Sequence, residues 1–352
     1  DQESPLGKER HSRCDLAASR LRIQRLANTL QRSMPSTFTH PFSFDPGYGY
    51  GLDDLLALGA PDAPPDYATY WNDRYEQALE AAPRPQLSDV PGTHPKWKIA
   101  HLAYESTDGF RILGWALLPR EEKICRGLVF AHGYGGLDGP DLAMPYEDAV
   151  VFFPCFRGIS LSRCPLISPE PRWHVLHHIE DRDRYILGGC TEDLWLAVSA
   201  MLELFPQVSG RVGMIGTSFG GGIVALATPW DPRIARIHLE VPTFGHHPLR
   251  LTLPTLGSGA ALTAYEKHNG GTLATLSYYD AATAARHITI PAHVAAARFD
   301  PHVAPPGQFA IYNALAGPRE LFVLDAGHFD YANHSSQDQL LLREKERFFS
   351  LL

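Results

Sequence analysis

The stretch Arg211-Val-Gly-Met-Ile-Gly-Thr-Ser-Phe-Gly-Gly-Gly-Ile-Val-Ala-Leu-Ala227 decides the interpretation of this chain. Its apolar run 212–215 predicts a short buried strand, and the Ala- and Gly-rich residues after Gly220 have the spacing of a helix. Gly216 and Gly220 lack side chains, so the strand and helix backbones can approach closely around a sharp turn. Ser218 lies at this turn, at the positive end of the predicted helix dipole, where developing negative charge is stabilised.

The rest of the chain predicts a mostly parallel sheet with helices on both faces. Short apolar strands alternate with helical stretches, which is typical of an α/β fold. Two β-rich runs, 98–106 and 110–119, flank a turn at 107–109 and predict a hairpin at the antiparallel, N-terminal edge of the sheet. The other predicted strands are 127–131, 149–153, 212–215, 234–240, 292–297 and 321–324, and the predicted helices include 67–82 and 192–204.

Chain length and composition favour one large domain. With 352 residues the chain can bury a large core without disulfide or metal cross-links. No internal repeat or linker divides it, so we expect a single domain over residues 34–352. The Arg-rich residues 1–33 differ from the rest, and we expect them to be an N-terminal extension that is disordered or non-native.

Charge and cysteine content exclude several classes of protein. The net charge of −8 disfavours a nucleic acid or an anionic membrane as partner, because both require a basic surface. The five cysteines are widely spaced and predict free thiols rather than a disulfide framework or a zinc site. We find no apolar run near the roughly 20 residues of a membrane span and no apolar secretory segment, so we expect a cytoplasmic location.

The side chains that follow Ser218 along the chain predict a nucleophilic serine. Gly216-Thr-Ser-Phe-Gly220 resembles the nucleophile elbow of α/β-hydrolases, where an acid and then a histidine follow the serine. Asp300 and His328 each come directly after a predicted strand, at the strand ends where sites form in open α/β sheets. We expect His328 to accept the proton of Ser218 and the Asp300 carboxylate to hold the histidine ring.

Two backbone N–H groups are expected to stabilise the oxyanion that forms when a carbonyl is attacked. Phe219 follows the nucleophile and supplies the first group, and Tyr134 in the loop 131–136 supplies the second. Each such donor stabilises the transition state by about 3–4 kcal/mol. His132 belongs to the same loop and is interpreted as structural. Asp325 and Asp330 are alternative acids, but they lie too close to His328 in sequence to approach its ring well.

Two histidine clusters are weaker candidates for chemistry. The first could hold a metal if it were helical, but it lacks a full ligand set, so packing or solvated roles are favoured. The second precedes Pro248 in a loop and is interpreted as structural or pocket-lining. The first comprises His174, His177 and His178, and the second comprises His246 and His247. We find neither a phosphate loop nor a dinucleotide fingerprint, and no cofactor or metal is predicted.

From about Pro41 to its end the chain resembles the acetyl xylan esterase/cephalosporin-C deacetylase family of carbohydrate esterases. Short motifs carry the resemblance: 132–135, 156–158, 174–185, 275–282 and 309–313. The family implies a serine esterase of the α/β-hydrolase fold that deacetylates small acetylated sugars or cephalosporin C-like esters without a cofactor. It also implies a homo-oligomer, such as a hexamer.

The resemblance assigns roles to individual positions. The triad positions match Ser218, Asp300 and His328, and the oxyanion hole matches the backbones of Tyr134 and Phe219. Three further matching positions imply a substrate-binding or site-supporting role for Gly133, Arg157 and Gly158.

Three polar residues of the family pattern are apolar here, namely Ile159, Phe219 and Phe329. Phe219 still offers its backbone N–H, so we expect turnover to survive, with a more apolar pocket rim and a weaker dependence on sugar hydroxyls. The enzymatic alternatives are a broad short-chain carboxylesterase, a thioesterase or a peptidase. A non-catalytic binding scaffold is a further alternative, because fold alone does not establish activity.

Overall fold

A computed structural model describes residues 38–352 except Thr93 and Glu122. Residues 42–352 form one compact unit, to which all the elements below belong. The prediction for residues 1–33 lies outside the described residues.

Nine strands form one mixed sheet, and the fold class predicted from the sequence is confirmed. The strands are β1 (Gln86–Asp89), β2 (Trp97–Glu105), β3 (Arg111–Pro119), β4 (Arg126–Ala131), β5 (Ala149–Pro154), β6 (Val212–Thr217), β7 (Ile234–Glu240), β8 (Ala292–Ala297) and β9 (Arg319–Leu324). Their order is β1-β2-β3-β5-β4-β6-β7-β8-β9. The pairs β1–β2, β2–β3 and β3–β5 are antiparallel and form the N-terminal edge, whereas the pairs from β5 to β9 are parallel.

Strand β1 was not predicted from the sequence. Gln86, Ser88 and Asp89 are exposed and Leu87 is half-buried. The strand therefore lacks the alternation that marks a strand with one buried face. It is held instead by backbone pairing with β2, from Gln86 opposite Ala103 to Asp89 opposite Ala100.

Helices cover the sheet. They are α1 (Leu52–Ala57), α2 (Tyr67–Leu79), α3 (Pro171–His174), α4 (Ile186–Leu204), α5 (Phe219–Ala227), α6 (His247–Arg250), α7 (Gly257–Asn269), α8 (Leu273–Leu276), α9 (Ala281–Ala285), α10 (Pro305–Ala314) and α11 (His334–Phe349). Across the described part of the chain, no helix is both long and apolar enough to cross a membrane.

Helix α4 begins at Ile186, six residues before the predicted start at Glu192. The first six residues of the helix could not be predicted from the sequence because Gly188 and Gly189 are poor helix formers. Packing explains both glycines: a Cβ at Gly188 would collide with the guanidinium of Arg74, and one at Gly189 with that of Arg157. The gain from burying this helix outweighs its low local propensity.

The turn between β6 and α5 depends on its two flanking glycines. A Cβ at Gly216 would lie 2.6 Å from the carbonyl oxygen of Gly220, and a Cβ at Gly220 would overlap the carbonyl of Ala131 in β4. The helix therefore starts in direct contact with the neighbouring strand. Ser218 between them has φ 54° and ψ −113°, a strained backbone conformation for a residue with a side chain.

We predict that Gly220→Ala lowers the free energy of unfolding by about 1–3 kcal/mol, because the added methyl group meets fixed backbone. Urea unfolding followed by circular dichroism measures the change. Gly59→Ala is the matched control, since a Cβ at Gly59 meets nothing within 4 Å, and its effect should stay within about 0.5 kcal/mol. Equal effects of the two variants would contradict this account of the turn.

Candidate active site

Three side chains from three separate loops meet beyond the carboxyl ends of the parallel strands. His328 Nε2 lies 2.9 Å from Ser218 Oγ, and His328 Nδ1 lies 2.8 Å from Asp300 Oδ2. Because a carboxylate only accepts hydrogen bonds, Nδ1–H donates to Asp300 and Nε2 is left as an acceptor for the Ser218 hydroxyl. In this tautomer the imidazole can receive a proton from Ser218.

The backbone around Ser218 fixes the direction of its side chain. Its N–H donates to the carbonyl of Glu240 at the end of β7, at 2.8 Å. Its carbonyl accepts from the N–H groups of Gly222 and Thr243, each at 3.1 Å. These bonds offset the strain of the positive φ and tie the turn to the neighbouring loop.

Asp300 is fully buried and is held by a set of donors. One oxygen accepts from the backbone N–H groups of His302 and Val303, each at 2.9 Å. The other accepts from His328 and from the side-chain amide of Gln308, at 3.0 Å. The Asp300 carboxylate therefore has partners for both oxygens, as a buried charge requires.

Gln308 was not identified from the sequence. It is fully buried in α10, donates to Asp300 and to the carbonyl of Val303, and accepts from the N–H of Ala297 at 2.8 Å. It thereby links the end of β8 to the Asp300 carboxylate. Its position eight residues after Asp300 gives no signal in the sequence, because only the fold of the intervening loop brings the two side chains together.

The surroundings of His328 favour its protonated form. Burial lowers the pKa of His328, but the charge and hydrogen bond of Asp300 outweigh this effect and raise it above the ordinary value. Glu240 contributes in the same direction. The ring of His302 lies 5.6 Å from that of His328, and burial lowers the pKa of His302, which favours its neutral form.

The loop 131–136 passes directly over the serine. A Cβ built on Gly133 would lie 3.5 Å from Ser218 Cβ, so the loop backbone is in near contact with Ser218. His132 holds the loop in place with both ring nitrogens. Its Nδ1–H donates to the Gly133 carbonyl, and its Nε2 accepts from the N–H of Phe156 at 3.1 Å. His132 is buried, which lowers its pKa to about 4 and matches its interpretation as a structural residue.

Tyr134 and Phe219, whose N–H groups were predicted to form the oxyanion hole, are stacked on each other. Their ring centroids are 4.0 Å apart and the ring planes differ by 27°. Phe219 is the first residue of α5, so its N–H has no acceptor within the helix. The hydroxyl of Tyr134 lies 3.3 Å from His174 Nδ1, and His174 Nε2–H donates to the carbonyl of Arg157 at 3.0 Å.

Arg157 is buried, and its guanidinium has partners on every side. Its guanidinium makes a bidentate pair with Asp193 of α4, at 2.7 and 3.1 Å, and lies over the ring of Phe110. Of the two roles predicted for it, the geometry favours a site-supporting one. Gly158 follows with φ 86°, a conformation that favours glycine, and a Cβ there would collide with Ile167.

Ile159, Phe219 and Phe329, the three apolar residues that replace polar residues of the family pattern, lie in different environments. Phe219 is 0% exposed and Ile159 is 3% exposed, so both side chains are part of the core rather than of a rim. Phe329 is half-buried and packs against Phe42 and Phe299, with ring centroids 5.9 and 5.0 Å away. The apolar rim predicted from these residues is therefore reduced to Phe329.

Among the described residues, neither the two histidine clusters nor the cysteines form a metal-binding arrangement. His174 is fully buried, and His247 is buried with its Nε2–H donating to the carbonyl of Tyr279. In residues 38–352, apart from the two gaps, no group of three or more His, Cys, Asp or Glu side chains is arranged to hold a metal ion. Four cysteines are free thiols, namely Cys125, Cys155, Cys164 and Cys190, and Cys14 lies outside the described residues.

A cleft of about 700 Å³ lies elsewhere on the domain. Its walls carry charges of both signs, and the residues of the Ser218–His328–Asp300 arrangement are not part of them. Several of these charges already pair with one another, as Arg74 does with Glu192 at 2.8 Å and Arg182 with Asp66 at 3.2 Å.

Solved structures share this architecture. An acetyl xylan esterase from Paenibacillus sp. R4 superposes with a TM-score of 0.75 at 21% identity, over 84% of this chain and 99% of the other. Acetyl xylan esterase 1 from Thermoanaerobacterium sp. JW/SL YS485 superposes with a TM-score of 0.71 at 20% identity, over 86% of this chain and 99% of the other. An acylaminoacyl peptidase from Pyrococcus horikoshii gives 0.57 at 16% identity, over 72% of this chain and 41% of the other.

The family model described as acetyl xylan esterase (AXE1) matches residues 52–346. This range covers most of the chain and contains the serine, the acid, the histidine and the loop over the serine. The chain is a carboxylic ester hydrolase and belongs to the acetyl xylan esterase family.

Proposed function

We propose that this protein is a serine esterase that removes short acyl groups, most of all acetyl groups, through a covalent acyl-enzyme. The observation that carries the proposal is the unbroken chain of hydrogen bonds from Ser218 Oγ through His328 to Asp300. The family membership supports the reaction class. The catalytic roles of individual residues rest on their geometry.

In the first half-reaction, Ser218 Oγ attacks the ester carbonyl carbon while His328 Nε2 takes the hydroxyl proton. The carbonyl oxygen becomes an oxyanion, which accepts hydrogen bonds from the backbone N–H groups of Tyr134 and Phe219. The tetrahedral intermediate then expels the alcohol, which receives the proton from His328 Nε2–H, and the acyl group stays on Ser218.

In the second half-reaction, His328 Nε2 takes a proton from a water molecule, whose oxygen attacks the acyl carbon. The intermediate breaks its bond to Ser218 Oγ, which recovers its proton from His328 while the carboxylic acid leaves. Asp300 keeps the tautomer of His328 fixed and stabilises the imidazolium in both halves. All these steps use side chains and backbone groups of the chain itself.

The substrates are proposed to be small acetylated compounds, such as acetylated xylooligosaccharides, other acetylated sugars or cephalosporin C-like esters. Two solved structures with the same architecture are described as acetyl xylan esterases, which supports this class. Phe329 replaces a polar residue of the family pattern and, unlike Ile159 and Phe219, lies outside the core, which favours esters that need few sugar hydroxyl contacts. We further propose a cytoplasmic homo-oligomer, following the family resemblance.

A broad carboxylesterase, a thioesterase or a peptidase would use the same three side chains. The acylaminoacyl peptidase of similar architecture shows that the fold accommodates different leaving groups. A binding scaffold would not need a histidine in the proton-accepting tautomer beside a serine. Failure of a fluorophosphonate to label Ser218 in the purified protein would favour the scaffold.

We predict that Ser218→Ala lowers the turnover of 4-nitrophenyl acetate by about 10⁶-fold, because no other group can form the acyl-enzyme. Release of 4-nitrophenol measures the rate. Ser209→Ala is the control, since Ser209 is an exposed serine outside the site, and it should keep the wild-type rate. Turnover by Ser218→Ala within tenfold of the wild type would refute the serine mechanism.

The value of kcat/KM should fall as the pH is lowered, which gives the pH profile an acid limb. His328 must be neutral to accept the serine proton, and Asp300 raises its pKa, so activity is lost as pH falls through a value above the ordinary histidine value of about 6.5. In Asp300→Asn the limb should move to lower pH, because the charge that favours imidazolium is gone, and kcat should fall by about 10⁴-fold.

Rates with 4-nitrophenyl acetate across pH 4–9 test this directly. An acid limb at the same pH in both proteins would show that Asp300 does not set the pKa of His328. Asp89→Asn is a control that removes an equal charge from an exposed position in β1, at the opposite edge of the sheet from β8 and β9, and it should move the limb little.

The preference for acyl-chain length should distinguish an acetyl esterase from a broad carboxylesterase. With 4-nitrophenyl esters, the proposal predicts the highest kcat/KM for acetate and a fall from butyrate upward. Constant rates through octanoate would favour a broad carboxylesterase. Faster turnover of acetylated xylooligosaccharide than of aryl acetate would contradict the weak dependence on sugar hydroxyls.

A further inference from the structure

The side chain of Tyr134 is hydrogen-bonded to a fully buried histidine. Its hydroxyl lies 3.3 Å from His174 Nδ1 and has no other hydrogen-bond partner among the described residues. His174 Nε2 lies 3.0 Å from the carbonyl oxygen of Arg157. Because a carbonyl only accepts, Nε2 carries the ring proton and Nδ1 accepts from the Tyr134 O–H. Burial lowers the pKa of His174 to about 4, which favours the neutral ring that this pair of bonds requires.

The far end of these hydrogen bonds is fixed to helix α4. The backbone N–H of Arg157 donates to Asp193 Oδ2 at 3.1 Å, and its guanidinium pairs with the same carboxylate at 2.7 Å. Both residues are buried, and Asp193 lies inside α4. The carbonyl of Arg157 is therefore held in place by a long helix, and His174 links Tyr134 to it.

Three rings pack around the bond between Tyr134 and His174. The Tyr134 ring is stacked on Phe219 at 4.0 Å, as described above. The His174 ring makes edge contacts with both of the others, at 5.4 Å from Tyr134 and 5.8 Å from Phe219. One stacked ring, one edge contact and one hydrogen bond therefore hold the Tyr134 side chain.

The backbone beside Tyr134 makes few contacts of its own. A Cβ at Gly135 would meet nothing within 4 Å. The nearest bonds within the loop both end on the Gly133 carbonyl, which accepts from the N–H of Gly136 at 3.0 Å and from His132. Among the described residues, the N–H of Tyr134 itself has no acceptor. The direction of this N–H therefore depends on how firmly the Tyr134 side chain is held.

We propose that His174 is a positioning residue, which holds Tyr134 so that the backbone N–H of Tyr134 points at the oxyanion. The inference rests on the proposed esterase function and adds to it a residue that acts through Tyr134 rather than on the substrate. A donor is effective only at about 2.7–3.1 Å from the oxyanion, and a misplacement of about 1 Å can lower a rate by about 10²-fold. A buried hydrogen bond behind the donor supplies this accuracy.

Tyr134→Phe tests the proposal, because it keeps the ring stack on Phe219 and removes only the hydroxyl. We expect kcat/KM for 4-nitrophenyl acetate to fall about 10-fold, less than the roughly 10²- to 10³-fold cost of losing a donor outright. Trifluoroacetophenone gives the second readout. Ser218 Oγ adds to its carbonyl carbon, the hydroxyl proton passes to His328, and the carbonyl oxygen becomes an oxyanion. Its inhibition constant should rise by the same factor as kcat/KM falls.

Variants of His174 test the partner of this hydroxyl. His174→Leu removes the acceptor and should change kcat/KM and the inhibition constant as Tyr134→Phe does. The double variant should lose no more than His174→Leu alone, because both substitutions break the same hydrogen bond. His174→Asn keeps an acceptor oxygen near the position of Nδ1, so its values should lie between those of His174→Leu and the wild type.

Tyr75→Phe is the matched control. Tyr75 is also half-buried, and its hydroxyl bonds to Asp231 at 3.2 Å, beyond the end of α5 that is farther from Ser218. This variant should keep the wild-type kcat/KM and inhibition constant. If the bond between Tyr134 and His174 had only a structural role, Tyr134→Phe would lower the thermal midpoint and leave the inhibition constant unchanged.

An inhibition constant of Tyr134→Phe within about twofold of the wild type would overturn the inference, and so would losses that multiply in the double variant. If His174→Leu does not fold, Tyr134→Phe and His174→Asn still decide the question. If Ser218→Ala abolishes aryl acetate hydrolysis while Tyr134→Phe matches the wild type, the esterase proposal stands and this inference fails. A wild type that hydrolyses no ester would overturn both.

Discussion

The arrangement at the candidate active site depends on one imidazole ring that is hydrogen-bonded on both sides. His328 lies between a buried carboxylate and a hydroxyl, and the carboxylate decides which ring nitrogen carries the proton. If the Asp300 side chain turned away, the ring could rotate or exchange its tautomer, and Nε2 would no longer be available to Ser218. The other donors to Asp300, namely the N–H groups of His302 and Val303 and the amide of Gln308, therefore matter for the chemistry, although none of them is hydrogen-bonded to the serine.

The fold supplies this arrangement through the ends of neighbouring parallel strands. The loops after β6, β8 and β9 carry Ser218, Asp300 and His328, and the loop after β4 passes over the serine. The positive φ of Ser218 and His328 shows that both backbones are held away from ordinary conformations. Such strain is stable only because the sheet and the helices fix both sides of each loop.

The sequence was informative where function and local geometry require particular residue types. The apolar run 212–215 predicted the strand and the spacing after Gly220 predicted the helix. Gly216 and Gly220 predicted the sharp turn between them, because backbone contact excludes side chains there. Asp300 and His328 could be selected because they directly follow apolar strands. In contrast, β1 and the start of α4 lack a periodic apolar pattern, and tertiary packing decides them.

Contacts between distant side chains could not be predicted from one sequence. Gln308 is an ordinary polar residue along the chain, and its importance appears only when its burial and partners are known. Phe219 and Ile159 were expected at a pocket rim but lie in the core, because a residue type does not reveal which way its side chain points. The substrate-facing part of the site is therefore known less well from the sequence than its catalytic part.

Trapping the acyl-enzyme tests whether Ser218 is the nucleophile. The protein is mixed with 4-nitrophenyl acetate, quenched with acid within the first turnover, digested and analysed by mass spectrometry. The account predicts an acetyl group on Ser218 and none on this residue in a sample quenched after all the ester has been consumed. Acetyl transfer to another residue, or turnover with no acetyl group on Ser218 at any time, would contradict it.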